Sequence, residues 1–175
     1  MDIQKDTTIT LEDIQNSPRG KAAMDLFMEG YNCSQAVTLA FADLFDMDRQ
    51  MLLRMSSSFG GGMGRLREVC GAVSGMFIVV GFLYGYEDPK ASEEKAAHYS
   101  RIQELARRFK EYQGSIVCRE LLGLESKESS PVPEKRTEVY YQKRPCPQIV
   151  GIAAMILEQY LAELETQASE SESTC

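Results

Sequence analysis
Apolar residues recur at steps of three and four through most of this chain, the spacing of helices that bury one face. Ser17-Pro18 reads as an N-cap with proline at the first helical position. It predicts a helix to about Met28, with Ala22, Ala23, Leu26 and Phe27 inward and Gly30 as the stop. Asn32 with Gln35 has the form of a capping box and opens a helix over NCSQAVTLAFADLF. Val37, Ala40, Phe41, Leu44 and Phe45 share one of its faces. Asp48 caps a short third helix carrying Met51, Leu52 and Met55.

The pattern then changes. Val69 to Tyr86 is uncharged, and its length falls near the lower limit of a membrane span, about 17–25 residues. Four glycines dilute it and no second such run exists. It predicts a central helix from about Glu68 to Tyr84, apolar all round because neighbours surround it. Ser92 starts a long amphipathic helix whose inward stripe is Tyr99, Ile102, Ala106, Phe109 and Gln113. His98 falls among its charged residues and is expected to face solvent. Gly114-Ser115 breaks that helix, and SIVCRELLG forms a short one. Leu124 to Pro145 is polar, holds Pro131 and Pro133 and reads as a long loop, with Thr137 to Tyr141 extended. The last helix spans about Pro147 to Glu165, its apolar face formed by Ile149, Ile152, Ala153, Ile156, Leu157, Tyr160 and Leu164.

These elements predict an all-α fold, a compact bundle of six or seven helices around the apolar glycine-containing helix. Residues 1–16 read as a loose arm, 17–165 as a single helical domain, and 166–175 as a disordered acidic tail.

Charge narrows the function. The 175 residues carry a formal net charge of -7, which excludes nucleic acid as a favoured partner because phosphate binding needs excess Lys and Arg. No run of Lys or Arg suits an anionic membrane surface. The polar, acidic N-terminus has no apolar secretory core. The expectation is a cytoplasmic protein that does not insert into a membrane.

Five cysteines carry the candidate chemistry. In a cytoplasmic setting they are expected to be free thiols, metal ligands or core residues rather than a disulfide framework. Cys33 follows the Asn32 cap at about the first helical position, and Cys146 precedes Pro147 near an N-cap. Cys118 lies three residues after Ser115, and Cys70 falls in the first turn of the apolar helix. All four read as helix-start positions, where unpaired N–H groups and the helix dipole favour a thiolate. Cys33, Cys70, Cys118 and Cys146 are therefore the redox candidates and the candidate metal ligands. Cys175 lies in the tail. No CxxC occurs, so a thioredoxin-type motif and a zinc ribbon are both absent, and any shared site must be assembled from separate helices.

The glycine cluster FGGGMGR precedes Cys70. It is neither a dinucleotide fingerprint nor a P-loop. It reads either as a tight turn or as a nest of N–H groups beside Arg65 and Arg67 that holds a cofactor edge. Gly60, Gly61, Gly62, Gly64 and Arg65 are the candidate cofactor-binding residues there. Gly71 and Gly75 join them, because their i, i+4 spacing lets a backbone or a flat ligand approach the helix. Gly81 and Gly85 repeat that spacing. The nine methionines read as packing residues.

The order of these motifs is recognisable. YNCSQAV, then FGGGMGR with CGAVSG, then the lone cysteines of IVCRELLG and RPCPQIV, resemble the C_GCAxxG_C_C family of small bacterial and archaeal proteins classed as redox-active. The likeness covers roughly residues 20–160, on Cys33, the segment Cys70 to Gly75, Cys118 and Cys146. It implies a helical domain with a redox or metal-related role, accessory to electron-transfer or transport systems. Three functions compete. The first is electron transfer through an iron–sulfur cluster or another thiolate-bound metal on the four cysteines. The second is metal-free thiol–disulfide exchange, with pairs such as Cys33–Cys70 and Cys118–Cys146. The third is a non-catalytic helical binding module with structural cysteines. The implied partners are an electron-transfer or transporter-associated protein, and the glycine faces of the apolar helix also suit a homodimer.

Overall fold
The computed structural model describes residues 9–125 and 130–172. The start of the expected arm, a short piece of the long loop and Cys175 lie outside the described residues. In chain order the helices are α1 (Leu11–Asn16), α2 (Pro18–Glu29), α3 (Cys33–Leu39), α4 (Arg49–Ser57) and α5 (Gly60–Met63). They continue with α6 (Gly71–Tyr84), α7 (Ser92–Gln113), α8 (Cys118–Leu121), α9 (Glu138–Lys143) and α10 (Cys146–Glu172). The fold is all-α. Among the described residues the only extended pairing is one isolated bridge between Val69 and Val117.

Local chemistry explains the helix starts. The Ser17 hydroxyl accepts from the Gly20 N–H at 2.9 Å and caps α2. Asn32 and Gln35 exchange side-chain to backbone bonds of 3.0 and 3.1 Å at the start of α3. The Asp48 carboxylate accepts from the N–H groups of Gln50 and Met51, both at 3.0 Å. Gly30 and Gly114 end α2 and α7 in left-handed conformations.

Helix α6 is central. Gly71 to Met76, Val79 and Val80 are buried, and the helix packs on α3, α7, α10 and α5. Its apolar run is used inside the bundle, and no described helix is long and apolar enough to cross a membrane. Helix α10 shares the centre. Ile149 to Leu157 are buried without interruption, because α1, α2, α3, α6 and α7 all pack against it. The largest buried side chains include Phe27, Phe41, Met76, Leu105, Phe109 and Ile156. Each contributes about 1.5–3 kcal/mol by burial, against about 1 kcal/mol for a cap, so packing dominates stability.

Several expectations are corrected. Leu11–Asn16 is not loose: Thr10 and Asp13 cap it reciprocally, and Ile14 is buried in the core. Helix α3 stops at Leu39 and a short 3-10 turn follows, which leaves Leu44 exposed. On α7 the buried residues are Leu105 and Phe109, and Tyr99 is exposed. The inward stripe runs through Ile102, Leu105 and Phe109, which have the same helical spacing as the expected set. His98 is half-buried, its ring 6.1 Å from that of Tyr86. Thr137 to Tyr141 is not extended, because the Thr137 hydroxyl caps α9. Tail residues up to Glu172 continue α10, exposed from residue 165 to 171.

Candidate functional site
Each of the four predicted cysteines stands at a helix start. Cys33 is the first residue of α3, Cys118 of α8 and Cys146 of α10, and Cys70 is the N-cap of α6. Two of these starts are tied by backbone. The Cys70 N–H donates to the Ile116 carbonyl at 2.8 Å, and the Cys118 N–H donates to the Glu68 carbonyl at 2.6 Å, on either side of the Val69–Val117 bridge. Cys33 is placed by its cap: the Asn32 side chain also donates to the Ser57 carbonyl at 2.9 Å and anchors α3 to the end of α4.

The glycine loop draws these starts together. A Cβ at Gly62 would lie 2.6 Å from the Cys118 Cβ, and its φ of 72° favours glycine. At Gly71 a Cβ would lie 2.8 Å from the Phe59 carbonyl and 3.0 Å from the Cys33 Cβ. That absent side chain lets α6 begin beside Cys33. Met63, Arg65 and Arg67 also take left-handed conformations, which cost roughly 1–2 kcal/mol each in an L-residue. Strain of this kind collects at functional sites.

All four cysteines line one cavity of about 230 Å³. Gly60, Gly61 and Arg65 line it as well. Gly62, Gly64, Gly71 and Gly75 do not: Gly62 and Gly71 make the close approaches just described, Gly64 closes the loop, and Gly75 packs on Val37 of α3. The remaining wall includes Arg67, Arg136, Arg144, Glu134 and Tyr140. Arg67 was visible beside the glycine loop. Arg136, Arg144 and Tyr140 come from the segment read as a loop. Their signals were the basic pairs Lys135-Arg136 and Lys143-Arg144 just ahead of Cys146.

The thiols differ in ionisation. Cys33 is lowered to about 7, first because the Cys146 thiol donates to it, then through the Gly61 N–H and the Arg136 charge, against the effect of burial. Cys146 is pushed up for the matching reason, its hydrogen bond to Cys33, with a further push from its partial burial. Burial and the neighbouring Cys33 push Cys70 up. Burial also pushes Cys118 up, although an Arg67 N–H points at its sulfur from 3.9 Å. The site thus sets one thiol with a lowered pKa beside three whose values are raised.

The Cys146 thiol, rather than Cys70, is the side chain that most lowers Cys33. A four-thiolate zinc centre needs its sulfurs about 2.3 Å from a common ion. Among the described residues no three Cys, His, Asp or Glu side chains are grouped to hold one. The four helices lead to one cavity. All four thiols are free.

No curated protein and no solved structure matches the chain. A family model described as "Putative redox-active protein (C_GCAxxG_C_C)" matches residues 31–160, a span that contains all four cavity cysteines. The chain belongs to the C_GCAxxG_C_C family of redox-active proteins.

Proposed function
We propose that this protein is a metal-free thiol–disulfide oxidoreductase in which Cys33 is the attacking thiolate and Cys146 the resolving thiol. The observation that carries this reading is that Cys33 and Cys146 line one cavity, with Cys33 held low chiefly by the Cys146 thiol. A thiolate with a pKa near ambient pH combines ionisation with nucleophilicity. In the forward step the Cys33 thiolate attacks one sulfur of a small disulfide. The substrate S–S bond breaks, one thiolate leaves, and a mixed disulfide forms at Cys33. Cys146 then gives up its proton to the departing group and attacks the Cys33 sulfur. The second substrate thiolate leaves and a Cys33–Cys146 disulfide remains. Two electrons have passed from the dithiol to the substrate. A dithiol reductant or an electron-transfer partner restores the pair. A reducing compartment such as the cytoplasm suits four free thiols.

Thiol counting before and after mild oxidation tests the reading. The expected result is loss of two thiols and a peptide map linking Cys33 to Cys146. In Cys146→Ser the reaction should stall at the mixed disulfide on Cys33. An unchanged thiol count sinks the proposal. The competing metal reading is supported by the shared cavity and opposed by the grouping of its sulfurs. Visible absorption that bleaches on reduction, in protein purified without oxygen, would replace thiol exchange with an iron–sulfur centre.

A further inference from the structure
The charge inside the cavity is opposite to that of the chain. The protein carries a net charge of -7, yet the cavity wall holds four arginines and a single carboxylate, Glu134. That carboxylate is already engaged. It accepts from Arg144 at 2.6 Å and lies 3.8 Å from Arg65, which also donates to the Ser130 carbonyl at 2.7 Å. Arg136 is engaged as well: it donates to the carbonyls of Phe27 and Tyr31 and lies 4.2 Å over the Phe27 ring.

Arg67 is different. It is 7 % exposed, and its backbone is held at a φ of 62°. A guanidinium has five N–H donors. Among the described residues its one side-chain partner is the Cys118 sulfur, 3.9 Å away. A buried cation facing only a weak sulfur acceptor lacks the carboxylate that normally offsets its desolvation. Cys118 does not supply that charge, since burial keeps its proton on. Gly61 lies between this cation and the reactive thiol. Its N–H donates to Cys33, and Arg67 Nη1 is 3.9 Å from the point a Gly61 Cβ would occupy. The cavity, at about 230 Å³, falls below the roughly 300–1,000 Å³ of drug-sized ligand sites, so its occupant is small.

We propose that the cavity selects a small anionic disulfide, with the substrate's carboxylate on Arg67 and its sulfur presented to Cys33. This rests on the thiol–disulfide reading and specifies its substrate class. The other three arginines supply a positive rim that concentrates anions, while Arg67 supplies the bidentate contact that orients one.

The experiment uses three small disulfides that differ in charge: dithiodiglycolate, a dianion; bis(2-hydroxyethyl) disulfide, neutral; and cystamine, a dication. Each is reacted with the reduced full chain, and each rate is divided by that of the same disulfide with dithiothreitol, which removes intrinsic reactivity. The dianion should lead the neutral probe by about tenfold or more and the dication should come last, with the spread shrinking at high salt. Arg67→Gln should collapse the preference for the dianion, and Arg67→Lys should keep part of it. Calorimetry of Cys33→Ser with dithiodiglycolate reads binding without chemistry. Equal normalised rates for all three probes, or no saturable binding to Cys33→Ser, overturn the inference. Saturable binding of the dianion with no oxidation of wild type by any probe upholds the anion site and overturns thiol exchange.

Discussion

The two halves of α6 carry the same glycine spacing and use it differently. At the cavity end, Gly71 and Gly75 face α3 at close range. A Cβ at Gly75 would lie 2.8 Å from the Val37 Cβ and 3.0 Å from the Ser34 carbonyl. At the far end, nothing lies within 4 Å of a Cβ at Gly81, Gly85 is the C-cap, and Phe82 is 37 % exposed. The first pair brings Cys70 and Cys33 to one wall. In the second pair Gly81 faces open space, and a Cβ at Gly85 would strike only the Gly81 carbonyl of its own helix. An i, i+4 glycine pattern therefore permits close approach, and a packed neighbour is what uses it. Chemistry follows the same division, because all four free thiols of the described residues line the cavity served by the first half.

The sharpest way to break this contrast is Gly62→Ala in the loop that leads into α6. Its Cβ would strike the Cys118 Cβ at a left-handed φ, so a loss of about 2–5 kcal/mol is expected in urea denaturation. Gly75→Ala should cost about 1–3 kcal/mol by overpacking α3 against α6. An unchanged midpoint in that variant would show that the α3–α6 approach is slack.

Alkali should also act at the cavity end. Cys70, Cys118 and Cys146 have folded values raised above the ordinary 9.0. Below pH 9 they are neutral in both states and their contribution is intact. As pH rises past 9, the unfolded chain ionises first and stability falls, by up to about 1.4 kcal/mol per thiol per pH unit. Cys70→Ala should flatten that slope in a pH series of unfolding curves. Cys33 has the opposite sign: its folded value is lowered, so it favours folding from about pH 7 upward and that help is lost as pH falls through 7. Iodoacetamide labelling of Cys33 should rise with a midpoint near pH 7 while Cys70 stays unlabelled. The smallest effect belongs to the far end. Gly81→Ala should leave stability unchanged or raise it by at most about 1 kcal/mol, since the site is open and helical.

Most of the helical architecture was legible in the chain. Caps such as Ser17, Asn32 and Asp48 act within three residues of themselves, and so do the left-handed stops at Gly30 and Gly114. The helix-start placement of the four cysteines followed from these local signals. Readings failed where several local patterns were equally good. On α7, stripes through Tyr99 and Ala106 or through Leu105 have the same period, and only the packed neighbours choose between them. The arm around Ile14 lacked apolar surface of its own, and the surface that buries it comes from α2 and α10.

The sequence by itself determined that this is a helical bundle with four thiols at helix starts, because capping, periodicity and dipole chemistry operate over one or two turns. Tertiary structure decided that Cys33 and Cys146 share one cavity, and among the described residues it left Arg67 without a carboxylate. Those outcomes depend on residues far apart in the chain. Cys33 and Cys146 come to one cavity because α3 and α10 pack together, and Arg136 and Arg144 reach it from either side of α9. Ionisation follows burial and neighbouring charge, and both are set by packing.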